Sequence, residues 1–317
     1  MVMHILVVGG AGFIGSHLID KLIELGHNVV CVDDLSAGKK EFIEQHINKR
    51  TFDFIELDAT DISALNNVFG SYAFDCVFHM AANSDIQAGL KNTQIDLQRT
   101  FMTTYNILVC MCKNNVKNIV FASSSAIYGE LNDNLHEDSG PLFPISFYGA
   151  AKLASEAYIS AASANFNIKS WIIRFPNVVG ERMTHGVIFD FINKLRNNPK
   201  ELVILGNGEQ KKHYLYVKDI VDAILFAREN SDETVNCFNV AAESTTTVTR
   251  IAEIVVEEMG LGNVSFRYTG GDRGWPGDVP RFKYDISRIL KLGWRPSCMS
   301  DEAVRKAVRL ELKRWQG

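Results

Sequence analysis

His4-Ile5-Leu6-Val7-Val8-Gly9-Gly10-Ala11-Gly12-Phe13-Ile14-Gly15 stands at the start of the chain; a helical pattern from Ser16 to Leu25 follows, then a second apolar run from Asn28 to Val32 ending in Asp33-Asp34. The order is strand, glycine turn, helix, strand. Gly10, Gly12 and Gly15 fit the G-x-G-x-x-G spacing of a dinucleotide-binding turn. On that spacing Gly10 permits the tight turn, Gly12 lets the backbone approach a pyrophosphate, and Gly15 lets the helix pack close to the strand. The helix N-terminus then turns its positive dipole end toward the phosphates. Asp33 stands about 20 residues on, where an acid bonds the adenosine ribose hydroxyls and repels a 2′-phosphate. The pattern therefore favours NAD over NADP, and Lys39 and Lys40 lie several residues beyond the acid.

The first half continues to alternate apolar runs with helical stretches. Phe52 to Leu57, Cys76 to His79, Ile119 to Ser123 and Ser170 to Arg174 read as strands. Such an order implies an α/β fold with a doubly wound parallel sheet of the Rossmann type. Ligands bind beyond the carboxyl ends of its strands, so the residues there carry the chemistry. Asp58 can accept a bond from an adenine amino group. The small Ala81 and Ala82 let the backbone run beside a cofactor. Within Ser123-Ser124-Ser125 one hydroxyl can donate to a substrate oxygen, the others being ordinary turn or cap residues.

Tyr148 and Lys152 are one helical turn apart, at the start of a helix-forming run that follows Pro141 and Pro144. A free tyrosine ionises only near pH 10. An ammonium on the same helix face favours the phenolate and makes it a general base for a hydroxyl. Tyr214 and Lys218 repeat the spacing, but in an alternating, strand-like run where residues four apart do not meet. They read as structural or substrate-lining.

Composition narrows the classes. A chain of 317 residues allows one large or two intimate domains. A net charge of −4 disfavours a nucleic-acid or membrane-surface role. No apolar run approaches the length of a membrane span, and the N-terminus enters a strand without a signal-peptide pattern. The six cysteines show no C-x-x-C spacing and read as reduced thiols of a cytoplasmic protein; the eight histidines show no metal-binding cluster.

With Gly9 to Gly15, Asp33, His79 to Ala82, Ser123 to Gly129, Tyr148 to Lys152, Arg174 to Gly180 and Gly277-Asp278-Val279-Pro280, the chain resembles the extended short-chain dehydrogenase/reductases that epimerise or dehydrate nucleotide sugars. The resemblance covers nearly the whole length. It implies NAD contacts at Gly9, Gly12, Phe13, Ile14, Gly15, Asp33, Asp34, Asp58, Ala81, Ala82, Tyr148 and Lys152. It also implies a catalytic set of Ser124, Tyr148 and Lys152. Dehydratases of the family place an acid at the positions of Ser125 and Ala126, and neither residue here holds a proton at neutral pH. The resemblance therefore implies epimerisation at C4 of a nucleotide sugar of the UDP-glucose/UDP-galactose type, by way of a 4-keto sugar. A net keto-sugar reductase or nucleotide-sugar dehydrogenase would use the same residues, and a cofactor-binding regulator is a third class.

From Asn177 onward the elements shorten. The expected division is an NAD-binding domain at 1–176 plus 213–240 and a smaller α/β substrate-binding domain at 177–212 plus 241–317. By family position Asn177 bonds the diphosphate or sugar, and Val187 lies in the loop covering the base. Lys212 stands where the family has a phosphate-binding arginine, and Arg273 lies near a second such place, before Trp275-Pro276-Gly277-Asp278. Either cation reads equally as a solvated surface charge. Phe282 falls near the sugar 2-substituent, where it would favour glucose and galactose over N-acetylated sugars, or packs beneath its loop. The helical runs Gln94 to Lys113 and Tyr148 to Ala164 are apolar on more than one face; in the family the second face forms a homodimer contact.

Overall fold

The structure, a computed structural model, describes residues 1–131, 134–275, 277 and 279–314. Seven strands form the main sheet: β1 (His4–Val8), β2 (Asn28–Asp33), β3 (Phe52–Glu56), β4 (Cys76–His79), β5 (Asn118–Ala122), β6 (Lys169–Arg174) and β7 (Val235–Asn239). Their order is β7-β6-β5-β4-β1-β2-β3, and the pairs from β3 to β6 run parallel. The reversal of direction on either side of β1 is the switch point of a doubly wound sheet. The strands are near-continuous apolar runs because helices cover both faces. Ile5, Leu6, Val7, Val77, Phe78, Ile119, Val120 and Phe121 are fully buried, each such side chain contributing about 1.5–3 kcal/mol relative to exposure.

Helices α1 (Phe13–Glu24), α2 (Ile62–Ser71), α3 (Thr103–Lys113) and α4 (Phe147–Phe166) connect these strands. Asp61 caps α2 by accepting from the backbone N–H of Ser63 and Ala64. Ser146 caps α4 by accepting from Gly149 N–H, and Asn167 ends it in the left-handed region. The expected helix from Gln94 to Lys113 contains a π-helical segment, Leu97–Met102, ahead of α3. There Thr103 Oγ1 donates to the carbonyl of Gln98, five residues back, a departure that the apolar periodicity does not reveal.

The chain divides into two compact units. The first holds Met1–Gly129, Gly140–Arg174 and Ile224–Phe238; the second holds Glu130–Ser139, Phe175–Ala223 and Asn239–Gly317. This differs from the expected division at 130–139 and 213–223, and by two residues each at 175–176 and 239–240; pairing explains the two longer segments. Asn134–Leu135 pairs with Lys283–Tyr284, and Tyr214–Tyr216 pairs with Asn177–Val179. The second unit is built from short pairs such as these, with Glu201–Ile204 on Ser265–Tyr268. Its helices Val248–Glu258 and Ser300–Arg314 are joined by Arg305 and Arg309 on Glu258. Among the described residues no helix is long and apolar enough to cross a membrane.

Candidate functional site

In the first unit the glycine turn joins β1 to α1. Gly9 has φ +81°, and a Cβ on it would lie 2.5 Å from Ala81 N. Within the turn it is Gly9 that takes the left-handed conformation. Gly10 instead leaves room for Cys31 Sγ and Ile19 Cδ1, at 2.6 and 2.7 Å from its hypothetical Cβ. A Cβ on Gly15 would meet Gly9 O at 2.1 Å, which is the close helix approach expected of the third glycine. Gly12 caps α1, where a Cβ would meet only Gly9 O at 3.2 Å. Phe13 and Ile14 then open the first turn of α1, the helix end whose free N–H groups suit a phosphate.

Asp33 ends β2 and is 8% exposed. Its Oδ2 accepts from Ala11 N and its Oδ1 from Leu35 N, both at 2.9 Å. Burial pushes its carboxyl above the usual range, and the backbone N–H groups of Leu35, Ala11 and Gly12 oppose that. The neighbouring Asp34 holds Ser36. Asp58 accepts from Thr60 N at 2.8 Å and shapes the exposed turn before α2. Ala81 and Ala82 follow β4, and Ala81 N donates to Val8 O. Lys39 pairs with Glu41 at 3.5 Å. The cradle and its acid fit a dinucleotide.

Tyr148 and Lys152 lie on α4 as expected, with Lys152 Nζ 5.8 Å from the Tyr148 ring centre. Ser124 follows β5 and caps the 3-10 turn Ser125–Tyr128 by accepting from Ala126 N. A hydrogen bond to the Ser124 side chain favours the Tyr148 phenolate, but burial is the larger influence, and Asp96 adds to it; the phenol is pushed up to about 12. The expected lysine effect does not offset burial. Lys152 itself is 1% exposed, and burial lowers its ammonium to about 7, against the opposing charge of Glu156. Its Nζ donates to Ala122 O and lies 4.6 Å from the Phe121 ring centre. His79, on β4, is fully buried and held neutral by burial and by Lys152.

Two features escaped the sequence reading. Asp96 is 1% exposed, with Oδ1 accepting from Asn83 Nδ2 at 2.9 Å and no hydrogen-bond partner at Oδ2 among the described residues. The other is the buried pair of Glu156 and Arg174. The run 148, 152, 156 on one helix stripe is a signal that could have found Glu156. Tyr214 and Lys218, by contrast, are separated by the strand-to-helix junction at Val217, and Lys218 faces Glu181 at 3.4 Å.

In the second unit Asn177 pairs with Tyr214, and Lys211 forms a bridge with Arg281. The structure thus brings Asn177, the Lys212-His213-Tyr214 run and Phe282 together. The ring of Phe282 lies 6.1 Å from that of His213 and 5.9 Å from that of Tyr284. His213 accepts from Tyr284 N while its other ring nitrogen meets Ala242 O. Lys212 is half-buried in a short strand against Thr246–Thr247. Val187 opens the helix Val187–Asn197 behind Gly186. Arg273 is half-exposed and forms an ion pair with Glu130 through Nη2. Pro276 and Asp278 lie outside the described residues.

Residues 5–241 match the NAD dependent epimerase/dehydratase family. A Methanocaldococcus jannaschii protein provisionally named a UDP-glucose 4-epimerase is 34% identical over 309 residues, 96% of this chain and 97% of its own. The crystal structure of a UDP-galactose 4-epimerase is similar with a TM-score of 0.87 at 38% identity, over 98% of this chain and 99% of that one. The Thermotoga maritima UDP-glucose 4-epimerase, solved with UDP-glucose, is similar with a TM-score of 0.89 at 32% identity, over 99% of this chain and all of that one.

Proposed function

The chain belongs to the NAD-dependent epimerase/dehydratase family, and we propose that it epimerises C4 of a nucleotide sugar of the UDP-glucose/UDP-galactose type through a 4-keto sugar. The observation that carries this reading is the Ser124–Tyr148–Lys152 arrangement beside the carboxyl end of β5. Gly9, Gly12, Phe13, Ile14, Gly15, Asp33, Asp34, Asp58, Ala81 and Ala82 would hold NAD, which would supply a hydride acceptor at C4, a hydride donor to the opposite face of the 4-keto sugar, and a positive ring charge. Tyr148 Oη takes the proton of the sugar 4-hydroxyl. Ser124, whose side chain favours the Tyr148 phenolate, bonds the same oxygen and holds it at the base. Lys152 adds positive charge beneath the phenol and holds the nicotinamide ribose. The turn after Ser124 presents Ser125 and Ala126, so no acid stands ready to expel a hydroxyl, which favours epimerisation over elimination.

Asn177, Val187, Lys212 and Arg273 bind the nucleotide and its diphosphate. Ring packing with His213 and Tyr284 accounts for Phe282, so no sugar preference is drawn from it. The rings of Phe101, Tyr105 and Tyr158 cluster on an outer face of the first unit, with Tyr105 and Tyr158 exposed; this face supports a homodimer, which a monomeric mass at micromolar concentration would contradict. Stoichiometry tests the reaction. An epimerase interconverts UDP-galactose and UDP-glucose with no net absorbance change at the NADH wavelength, whereas steady NADH formation or consumption would make the chain a net oxidoreductase.

A further inference from the structure

Glu156 is a buried carboxylate that the proposed chemistry does not use. It lies on α4, one turn beyond Lys152, and is 5% exposed. Its Oε1 accepts from Ser123 Oγ, and also from Arg174 Nε at 3.0 Å. Its Oε2 accepts from Arg174 Nη2 at 2.6 Å. Arg174 ends β6, and its Nη1 donates to Tyr128 Oη at 2.9 Å. Ser123 immediately precedes Ser124, and Tyr128 ends the 3-10 turn that Ser124 caps. Both flanks of Ser124 are therefore fastened to one carboxylate.

A buried ion pair is a weak device for stability, because an apolar pair of the same shape would pack as well or better. What this one adds is direction: it holds two hydroxyl groups on either side of a third. It also places a negative charge one turn from the Lys152 ammonium. The other groups facing Lys152 are Tyr148 on the same helix and His79 on β4, while β5 contributes only the Ala122 carbonyl and the Phe121 ring. Arg174 pairs with Glu156, and Asp96 acts on Tyr148.

We propose that Glu156 is the positioning residue of the site, fixing the Ser124 turn through Ser123 and through Arg174–Tyr128 and setting a carboxylate one helical turn from Lys152. The inference rests on the reading of Ser124, Tyr148 and Lys152 as the reacting groups. Glu156→Gln keeps the shape and removes the charge. Lys152 then faces burial with no Glu156 charge to oppose it, so it must lose its proton at lower pH.

The test uses the holoenzyme labelled with 13C-lysine, the Lys152 signal being assigned by its absence in Lys152→Met. In Glu156→Gln the midpoint of the Lys152 titration is expected to fall by about one pH unit or more. The kcat for the UDP-sugar is expected to fall about 10- to 100-fold with KM nearly unchanged, and Glu156→Asp recovers part of the loss. Ser123→Ala lowers kcat without moving the Lys152 midpoint. An unmoved midpoint in folded Glu156→Gln, or an unchanged kcat there, overturns the proposal. Should Glu156→Gln fail to fold, Ser123→Ala and Tyr128→Phe decide it, unchanged kcat in both being the contrary result. Should the wild-type protein turn over no UDP-sugar, the functional reading fails by itself, and the titration still reports whether Glu156 governs Lys152.

Discussion

Lys152 Nζ lies 5.8 Å from the centre of the Tyr148 ring and gives a hydrogen bond to the carbonyl of Ala122, so the ammonium is enclosed between helix α4 and strand β5 rather than bathed in solvent. Burial lowers it from its ordinary 10.5 to about 7. A base lowered on folding gives up its proton more readily in the folded chain, so stability rises with pH between those two values and levels off at its lowest below the lower one. Replacing Lys152 by Met removes that cost and leaves Glu156 matched by Arg174. The variant is expected to be inactive yet to melt about 3 °C or more above wild type at pH 6, with the gain shrinking toward pH 9. Thermal unfolding followed by circular dichroism at both pH values measures it; equal melting temperatures at pH 6 would contradict the burial argument.

Asp96 opposes the ionisation of Tyr148. Asp96→Asn keeps the acceptor for Asn83 and removes the charge. The acidic limb of the kcat profile is expected to move to lower pH, and activity at pH 6 to rise relative to the optimum. A pH profile of the variant decides this, a limb displaced to higher pH being the contrary outcome.

Gly15→Ala drives a methyl group into Gly9 O, which is 2.1 Å from the position a Cβ would take. Backbone cannot yield there without moving the turn. The purified variant is expected to carry about tenfold less NAD per chain, corresponding to about 1.4 kcal/mol of lost binding, while its far-ultraviolet spectrum is preserved. Nucleotide released by acid and measured by chromatography is the readout; wild-type NAD content would show that the turn is not the phosphate site.

The ion pair between Glu130 and Arg273 is half-exposed, so breaking it costs about 0.2–1 kcal/mol. If Arg273 binds the diphosphate it must leave that carboxylate. Glu130→Gln is expected to lower KM for the UDP-sugar by about 2- to 5-fold with kcat unchanged, whereas a raised KM would mean that Glu130 holds Arg273 in its working position.

The parts of this fold carried by local pattern could be read directly. His4–Val8 and Cys76–His79 are apolar runs ended by small or polar residues, and both form strands over those limits. Phe52 to Leu57 lost only Leu57, whose N–H still bonds Asp33 O. Tyr148 and Lys152 needed only helical spacing. The features set by distant partners could not be read so. Gly9 has no room for a Cβ because Ala81, on another loop, lies against it. Glu156 meets Ser123 and Arg174, which lie 33 and 18 residues away. Glu130–Ser139 joins the second unit because its strand pairs with one 149 positions later, from Asn134 to Lys283.

The most direct test of the account is a proton NMR time course of UDP-galactose with the purified protein and no added cofactor. The account predicts that UDP-glucose signals grow to equilibrium with no other product, because the cofactor is regenerated within each turnover. A spectrum that stays unchanged, or one that shows a keto sugar accumulating, would contradict it.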